Sequence, residues 1–136
     1  MKYRKRNERI YALFDEGEDP FKNLEELYGI AGSNLVIIMG MGMLEDPELG
    51  YFTGNGYEKK VFKGRWELLS LTGNIVKGEP NPEIHVHAVL GGPDHNVAGG
   101  HLFAARVAVM NEIVLFITGE DFMKKPSSSG LKKWEL

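Results

Sequence analysis

All four histidines of the chain, His85, His87, His95 and His101, fall in one stretch, EIHVHAVLGGPDHNVAGGHL, between Glu83 and Leu102. Neutral imidazole is the commonest side-chain ligand for metals such as zinc, so the spacing of these rings decides whether they can act together. His85 and His87 are two apart in a run with strand character, which puts both rings on one face and Val86 on the other. The turn formers Gly91 to Asn96, with Pro93-Asp94 at their centre, predict a hairpin folded about Asp94 that sets His87 opposite His101. Directly opposed residues have Cβ atoms roughly 4.5–5.5 Å apart and diagonal ones about 7–8 Å, so His85, His87 and His101 can converge on one ion, with zinc the expected metal. His95 belongs to the turn and is expected in solvent. The chain has no cysteine, which removes thiolate ligands and disulfides and leaves His, Asp and Glu as donors.

The same spacing allows two other roles. The histidines can simply hydrogen-bond across the hairpin or between subunits, with Gly99 and Gly100 permitting close backbone approach. Alternatively, three histidines leave a fourth zinc position open for a water, and Glu67 or Glu83 would then serve as the base of a hydrolase. No HExxH motif, nucleophile elbow or phosphate-binding glycine loop accompanies them, so binding is expected ahead of catalysis.

The elements that must position this stretch are short and punctuated by glycine. Arg9 to Phe14 reads as a first strand. Asp19 reads as an N-cap with Pro20 at the first helical position, and the apolar spacing of Phe21, Leu24, Leu27 and Tyr28 predicts a helix from Pro20 to about Gly29. Asn34 to Leu44 is almost wholly apolar and suits a strand covered on both faces, with Met39, Met41 and Met43 as core filling. The runs LGYF, YEKKVF and WELLSLTGNIV, each after a turn signal, suggest an antiparallel meander. Leu102 to Ile117 forms the return arm of the histidine hairpin, with a bend or break near Met110-Asn111-Glu112. Lys124 to Gly130 reads as a polar linker, and LKKWEL as a last short strand whose Leu131 and Trp134 pack back onto the body.

Composition bounds the class. At 136 residues, 43% hydrophobic and 26% charged, the chain fits one globular domain, residues 9–136, preceded by a basic segment, residues 1–8. Lys2, Arg4, Lys5 and Arg6 in that segment are the residues available to nucleic-acid phosphates, the bland expectation being a solvated, partly mobile terminus. The net charge of −3 disfavours nucleic acid for the molecule as a whole. No apolar run approaches the ~18 residues of a membrane span, so no membrane partner is expected and a cytoplasmic location follows by default.

Three segments carry a resemblance: Gly64-Arg65-Trp66-Glu67-Leu68-Leu69 with its continuation Ser70 to Ile75, then His85-Val86-His87, then Gly99-Gly100-His101-Leu102. With them the chain, from about Arg9 onward, resembles the PPC domain, the plants and prokaryotes conserved domain. Plant members read Gly-Arg-Phe-Glu-Ile-Leu in the first segment, so Trp66 and Leu68 are departures that keep its apolar character. The resemblance implies an α+β fold, an antiparallel sheet of about seven strands with one main helix, assembled as a homotrimer. It also implies a regulatory or binding role, with Gly64 to Leu69 as a partner or subunit contact. Prokaryotic members are often labelled DNA-binding because plant members carry AT-hooks, yet no Arg-Gly-Arg-Pro element occurs here. DNA binding, if it follows, is therefore expected to be weak and non-specific, and other proteins stand as alternative partners.

Overall fold

The computed structural model describes residues 1–136. Its elements are β1 (Lys2–Arg6), β2 (Arg9–Asp15), α1 (Pro20–Ala31), β3 (Leu35–Phe52), β4 (Tyr57–Val61), β5 (Arg65–Val76), β6 (Glu83–Gly91), β7 (Val97–Ile117), β8 (Lys124–Pro126) and β9 (Lys132–Trp134). Seven strands form one antiparallel sheet in the order β1-β2-β7-β6-β5-β3-β4, and β8 and β9 form a separate hairpin. The fold is α+β with a single helix, as the resemblance implies.

The order departs from the expected meander because β3 and β7 also pair with each other, from Leu35↔Ile117 to Gly50↔His101. With β3 on β5, β5 on β6 and β6 on β7, these four strands close a ring of pairings, and the sheet curls into a small barrel. Curling requires bends, and they are local. β3 shifts register at Ile37/Met39, Gly42/Leu44 and around Glu45–Glu48, where Asp46 has φ of 48°. The expected LGYF strand is therefore no separate element but the far half of β3 after these bulges. β7 stays extended through Met110-Asn111-Glu112, and the expected bend falls beside them: β3 pairs Gly42 with Asn111 and Leu44 with Val107, so four steps of β7 face two of β3, and Asn111 donates from Nδ2 to the Met43 carbonyl there.

The barrel interior is filled by Ile10, Phe14, Leu44, Ile75, Leu90 and Leu115, each at most 1% exposed, with roughly 1.5–3 kcal/mol to be gained per side chain buried. Helix α1 contributes Leu24 and Leu27 to this core. Its start is set as the sequence predicts, with Asp19 Oδ1 accepting from the Phe21 N–H at 2.9 Å and Pro20 in the first turn. It runs one half-turn past the expected end, to Ala31, because Gly32 at φ 72° supplies the left-handed cap and donates to the Tyr28 carbonyl.

Three further expectations need correction. The basic segment is not a free tail, because Lys2–Arg6 pairs along β2 as the edge strand of the sheet. The apolar start of β3 is not covered on both faces either. Ile38, Met39 and Met41 are 40–53% exposed, since the core occupies only the face that holds Leu35, Ile37 and Leu44. Likewise the polar linker is partly ordered as β8, which pairs Lys124↔Trp134 with β9. No helix is long and apolar enough to cross a membrane.

Gly42 tests the closure. Its φ is 142°, and an added Cβ would lie 2.1 Å from the Met110 carbonyl oxygen, so the two long strands approach too closely for any side chain. Gly42→Ala should lower the unfolding free energy by about 2–4 kcal/mol in urea titration. Gly54→Ala, at φ 98° with open space around it, should cost only about 1 kcal/mol.

Candidate metal centre

Strand alternation builds the site. On β6, Val86, Ala88 and Leu90 point into the barrel, so His85 and His87 point out. The turn Gly92–Asn96, closed by the His95 N–H donating to the Gly92 carbonyl, folds β7 back so that His87 is paired with His101. Gly100, beside it, is where β7 squeezes against β3: an added Cβ would sit 2.8 Å from the Gly50 carbonyl oxygen, whereas at Gly99 it would meet only ordinary contacts. Close approach at Gly100 thus places His101 at the ring closure, opposite Gly50 on one side and His87 on the other.

The three imidazoles converge. One ring nitrogen from each of His85, His87 and His101 lies within 4.8 Å of the others, and His85 Nε2 is 3.1 Å from His87 Nε2. Tetrahedral ligands at 2.0–2.1 Å from zinc are about 3.4 Å apart, so the pair already sits at co-ligand spacing. His101 Nδ1 is buried and has no hydrogen-bond partner, so the ring carries an unsatisfied polar atom. Asn74, opposite His85 on β5, also leaves its Oδ1 buried and unpaired. The residues present therefore fit a divalent ion with nitrogen donors.

Burial and nearby charge favour the neutral form of His101 and His85. Burial pushes the His101 imidazole down to about 4, with His85, His87, Lys124 and Lys59 acting in the same direction. His85 is lowered as well, by burial first and then by Lys124 and His87. A neutral imidazole keeps the lone pair that a metal needs.

A cavity of about 370 Å³ opens beside His85 and His101. Tyr57 and Phe103 flank His101 at ring-centroid distances of 5.0 and 4.4 Å, and the hairpin β8–β9 forms the opposite wall with Lys124, Leu131, Lys132 and Lys133. Lys132 is ion-paired to Glu83, whereas Lys124, half-buried, has no hydrogen-bond or ion-pair partner. Burial lowers the Lys124 ammonium below the ordinary lysine range, against the pull of Glu83. Sequence reasoning missed Tyr57, Phe103 and Lys124. Phe103 was open to discovery, being two residues beyond His101 on the same strand face, but nothing in the sequence brings Lys124 from its distant hairpin.

The other candidates lie apart. His95 is exposed in the turn at φ 59°. Glu67 pairs with Gly91 while Thr72 pairs with His87, four steps away on β6, which sets Glu67 roughly 13 Å along the sheet from His87 and out of reach as a base. Glu83 is held by Lys132. In the Gly64 to Leu69 segment the residues divide. Gly64 turns at φ 84°, Arg65 ion-pairs with Glu16 at 2.9 Å, and Trp66 packs on Phe62 and Gly92 of its own chain. Leu68 is in the core, and only Leu69, 54% exposed, offers a sizeable apolar surface. Of the basic run, Lys2, Arg4 and Arg6 share the outer face with Tyr11, while Lys5 turns inward to donate to the Ile30 carbonyl of α1.

The chain belongs to the family described as the Plants and Prokaryotes Conserved (PCC) domain, whose model matches residues 1–119. Among solved structures it is similar to a plant- and prokaryote-conserved (PPC) protein from Pyrococcus horikoshii, at 31% identity, 99% of this chain, 95% of that chain and a TM-score of 0.85. It is similar also to a "metal-containing protein" from Archaeoglobus fulgidus, at 28% identity, coverage of 100% and 99%, and a TM-score of 0.84. A "putative DNA binding protein" from Bacteroides thetaiotaomicron shares the fold at a TM-score of 0.90, with 23% identity over 98% of this chain and 96% of that one. No curated protein matches the chain.

The neutral state of His101 has a consequence for stability. Its folded value of about 4 lies below the unfolded 6.5, so between these values the unfolded chain takes up a proton that the folded chain refuses. Stability of the metal-free protein is full above pH 6.5 and falls as pH drops toward 4. Thermal melts in chelator should show this loss, and His101→Phe, which keeps the ring contacts but cannot titrate, should show a shallower pH slope. Identical slopes would mean that His101 is not held neutral.

Proposed function

We propose that the chain is a zinc-binding, self-associating PPC-domain protein with a regulatory or binding role. The carrying observation is the convergence of one ring nitrogen from each of His85, His87 and His101 within 4.8 Å of one another. The relative from Archaeoglobus fulgidus, by its name a metal-containing protein, supports the same reading. Zinc supplies a charge centre with a coordination position that the three histidines leave open. A hydrolytic role gains no support, since Glu67 is remote and Glu83 is engaged by Lys132. In a zinc titration, His87→Ala should lower affinity at least about a hundredfold, whereas His95→Ala should bind as the wild type does. Zinc should be released only below about pH 6.5, because burial weakens proton competition at His101 and His85. Equal affinity in the wild type and His87→Ala would reduce the cluster to packing.

We infer self-association as a homotrimer from the uncovered side of β3. Met39 and Met41, set against core filling by their exposure, stand in an apolar outer face that Tyr11, Val109, Met110 and Leu69 extend on either side. Glu112, paired opposite Met41, and Glu67 interrupt this face, which has the mixed apolar and charged character of a subunit contact, and methionine suits a contact that must adapt. Leu69 brings the Gly64 to Leu69 segment to this face, lining a groove with Met41, Met43 and Met110. Light scattering should give three times the chain mass of 15.2 kDa. The double variant Met41→Glu, Leu69→Glu should lower that mass to one chain, and a wild type that is monomeric at all concentrations would end the inference.

A second reading, DNA binding, draws on the basic edge strand. Lys2, Arg4 and Arg6 project together with Arg9 and Tyr11 from one face, and the structure from Bacteroides thetaiotaomicron is named a "putative DNA binding protein". Such a strip holds phosphates without reading bases. Binding should be weak, indifferent to sequence and steeply reduced by salt, and changing Lys2, Arg4 and Arg6 to serine should abolish it in fluorescence anisotropy. Tight, sequence-selective binding by that variant would place a DNA reader elsewhere on the barrel.

A further inference from the structure

We propose that the histidine centre takes a small organic oxyanion, a carboxylate or a phosphate ester, with one oxygen on the metal's open position and another on the ammonium of Lys124. The inference rests on the metal reading above and extends it to the ligand.

The charges around the cavity do not balance. Three neutral imidazoles leave a divalent ion with both of its charges, and the cavity beside it is lined by Lys124, Lys132 and Lys133 against the single carboxylate of Glu83. That carboxylate is already paired with Lys132. Lys124 is half-buried and reaches no acceptor of its own chain, although a partly desolvated ammonium without a partner is costly. An anion spanning the ion and Lys124 would satisfy both at once through charge-assisted contacts.

The walls describe the rest of the ligand. Tyr57 and Phe103 stand edge to face at 5.0 Å and flank His101, while Ile84 and Leu131 line the same space. Its volume of about 370 Å³ lies within the usual range for small-molecule sites. An apolar wall beside a cationic end suits an anion that carries an apolar body, rather than a bare inorganic ion.

The test uses the full chain loaded with cobalt(II), whose visible spectrum reports changes at the metal. Benzoate and phenyl phosphate are titrated separately at fixed ionic strength, with chloride as the control. The expected result is a saturable spectral change with at least one of the two and none with chloride at the same concentrations. A response to benzoate assigns a carboxylate, and a response to phenyl phosphate alone assigns a phosphate ester. Lys124→Ala, which removes a charge that repels cations, should bind cobalt(II) at least as tightly as the wild type yet weaken the anion by about tenfold or more, and Lys124→Arg should restore most of the loss. A spectrum unmoved by both anions, or equal anion affinity in the wild type and Lys124→Ala, overturns the proposal while leaving the metal reading intact. If the wild type takes up no cobalt(II) before any anion is added, both fall together.

Discussion

The pairing of β3 with β7 is the constraint on which the rest of this molecule depends. Two strands of 18 and 21 residues are too long to lie flat in a twisted sheet, and once they bond to each other along both their halves the sheet must close. Closure explains why side chains are missing where they are. Gly42 lets the backbone of Met110 pass, and Gly100 lets that of Gly50 pass. It explains the bulges, which are shared between the two strands: β3 carries the extra residue at Ile37/Met39 and Glu45/Glu48, and β7 carries it between Asn111 and Val107 and between Ala104 and Leu102. It also fixes His101, because the residue of β7 that is paired with Gly50 of β3 on one side is the one that faces His87 of β6 on the other.

The histidine geometry was legible because it depends only on period two and one turn. His85 and His87 share a face by counting, and the six turn-forming residues leave little freedom in the hairpin that brings His101 across. The helix was legible for a similar reason, since Asp19, Pro20 and Gly32 act through their own backbone neighbours. What could not be read was the long-range pairing. An unbroken apolar run such as Asn34 to Leu44 looks the same whether a second layer of the same chain covers it, another subunit does, or nothing does. Met39 and Met41 were therefore assigned to the core on a pattern that says only that they are apolar. The basic run at Lys2–Arg6 misled in the opposite way, because an edge strand exposed on both faces carries no alternation to mark it as a strand.

Charge and burial are arranged in one direction around the centre. The curl of the barrel removes His101 from water, and Lys59 and Lys124 then oppose any proton it would acquire. A ring kept from protonation by its surroundings is ready to donate a lone pair without first giving up a proton. Thus the same strand closure that organises the core also sets the protonation state of the site, and no separate device is needed.

The wall that holds Lys124 has a different standing from the floor that holds the imidazoles. The floor belongs to β6 and β7, in the middle of the barrel, where a change of one residue's register would turn every side chain to the wrong face. The wall belongs to a two-strand flap outside the seven-strand sheet, beyond the residues 1–119 that match the family, and it is fastened by a few contacts such as Lys132 with Glu83 and Phe122 with Trp134. On the proposed reading, selectivity and metal capture are thereby written in separable parts of the chain. The flap can be rewritten for a new ligand at little cost to the fold, while the three imidazoles beneath it stay where the barrel puts them.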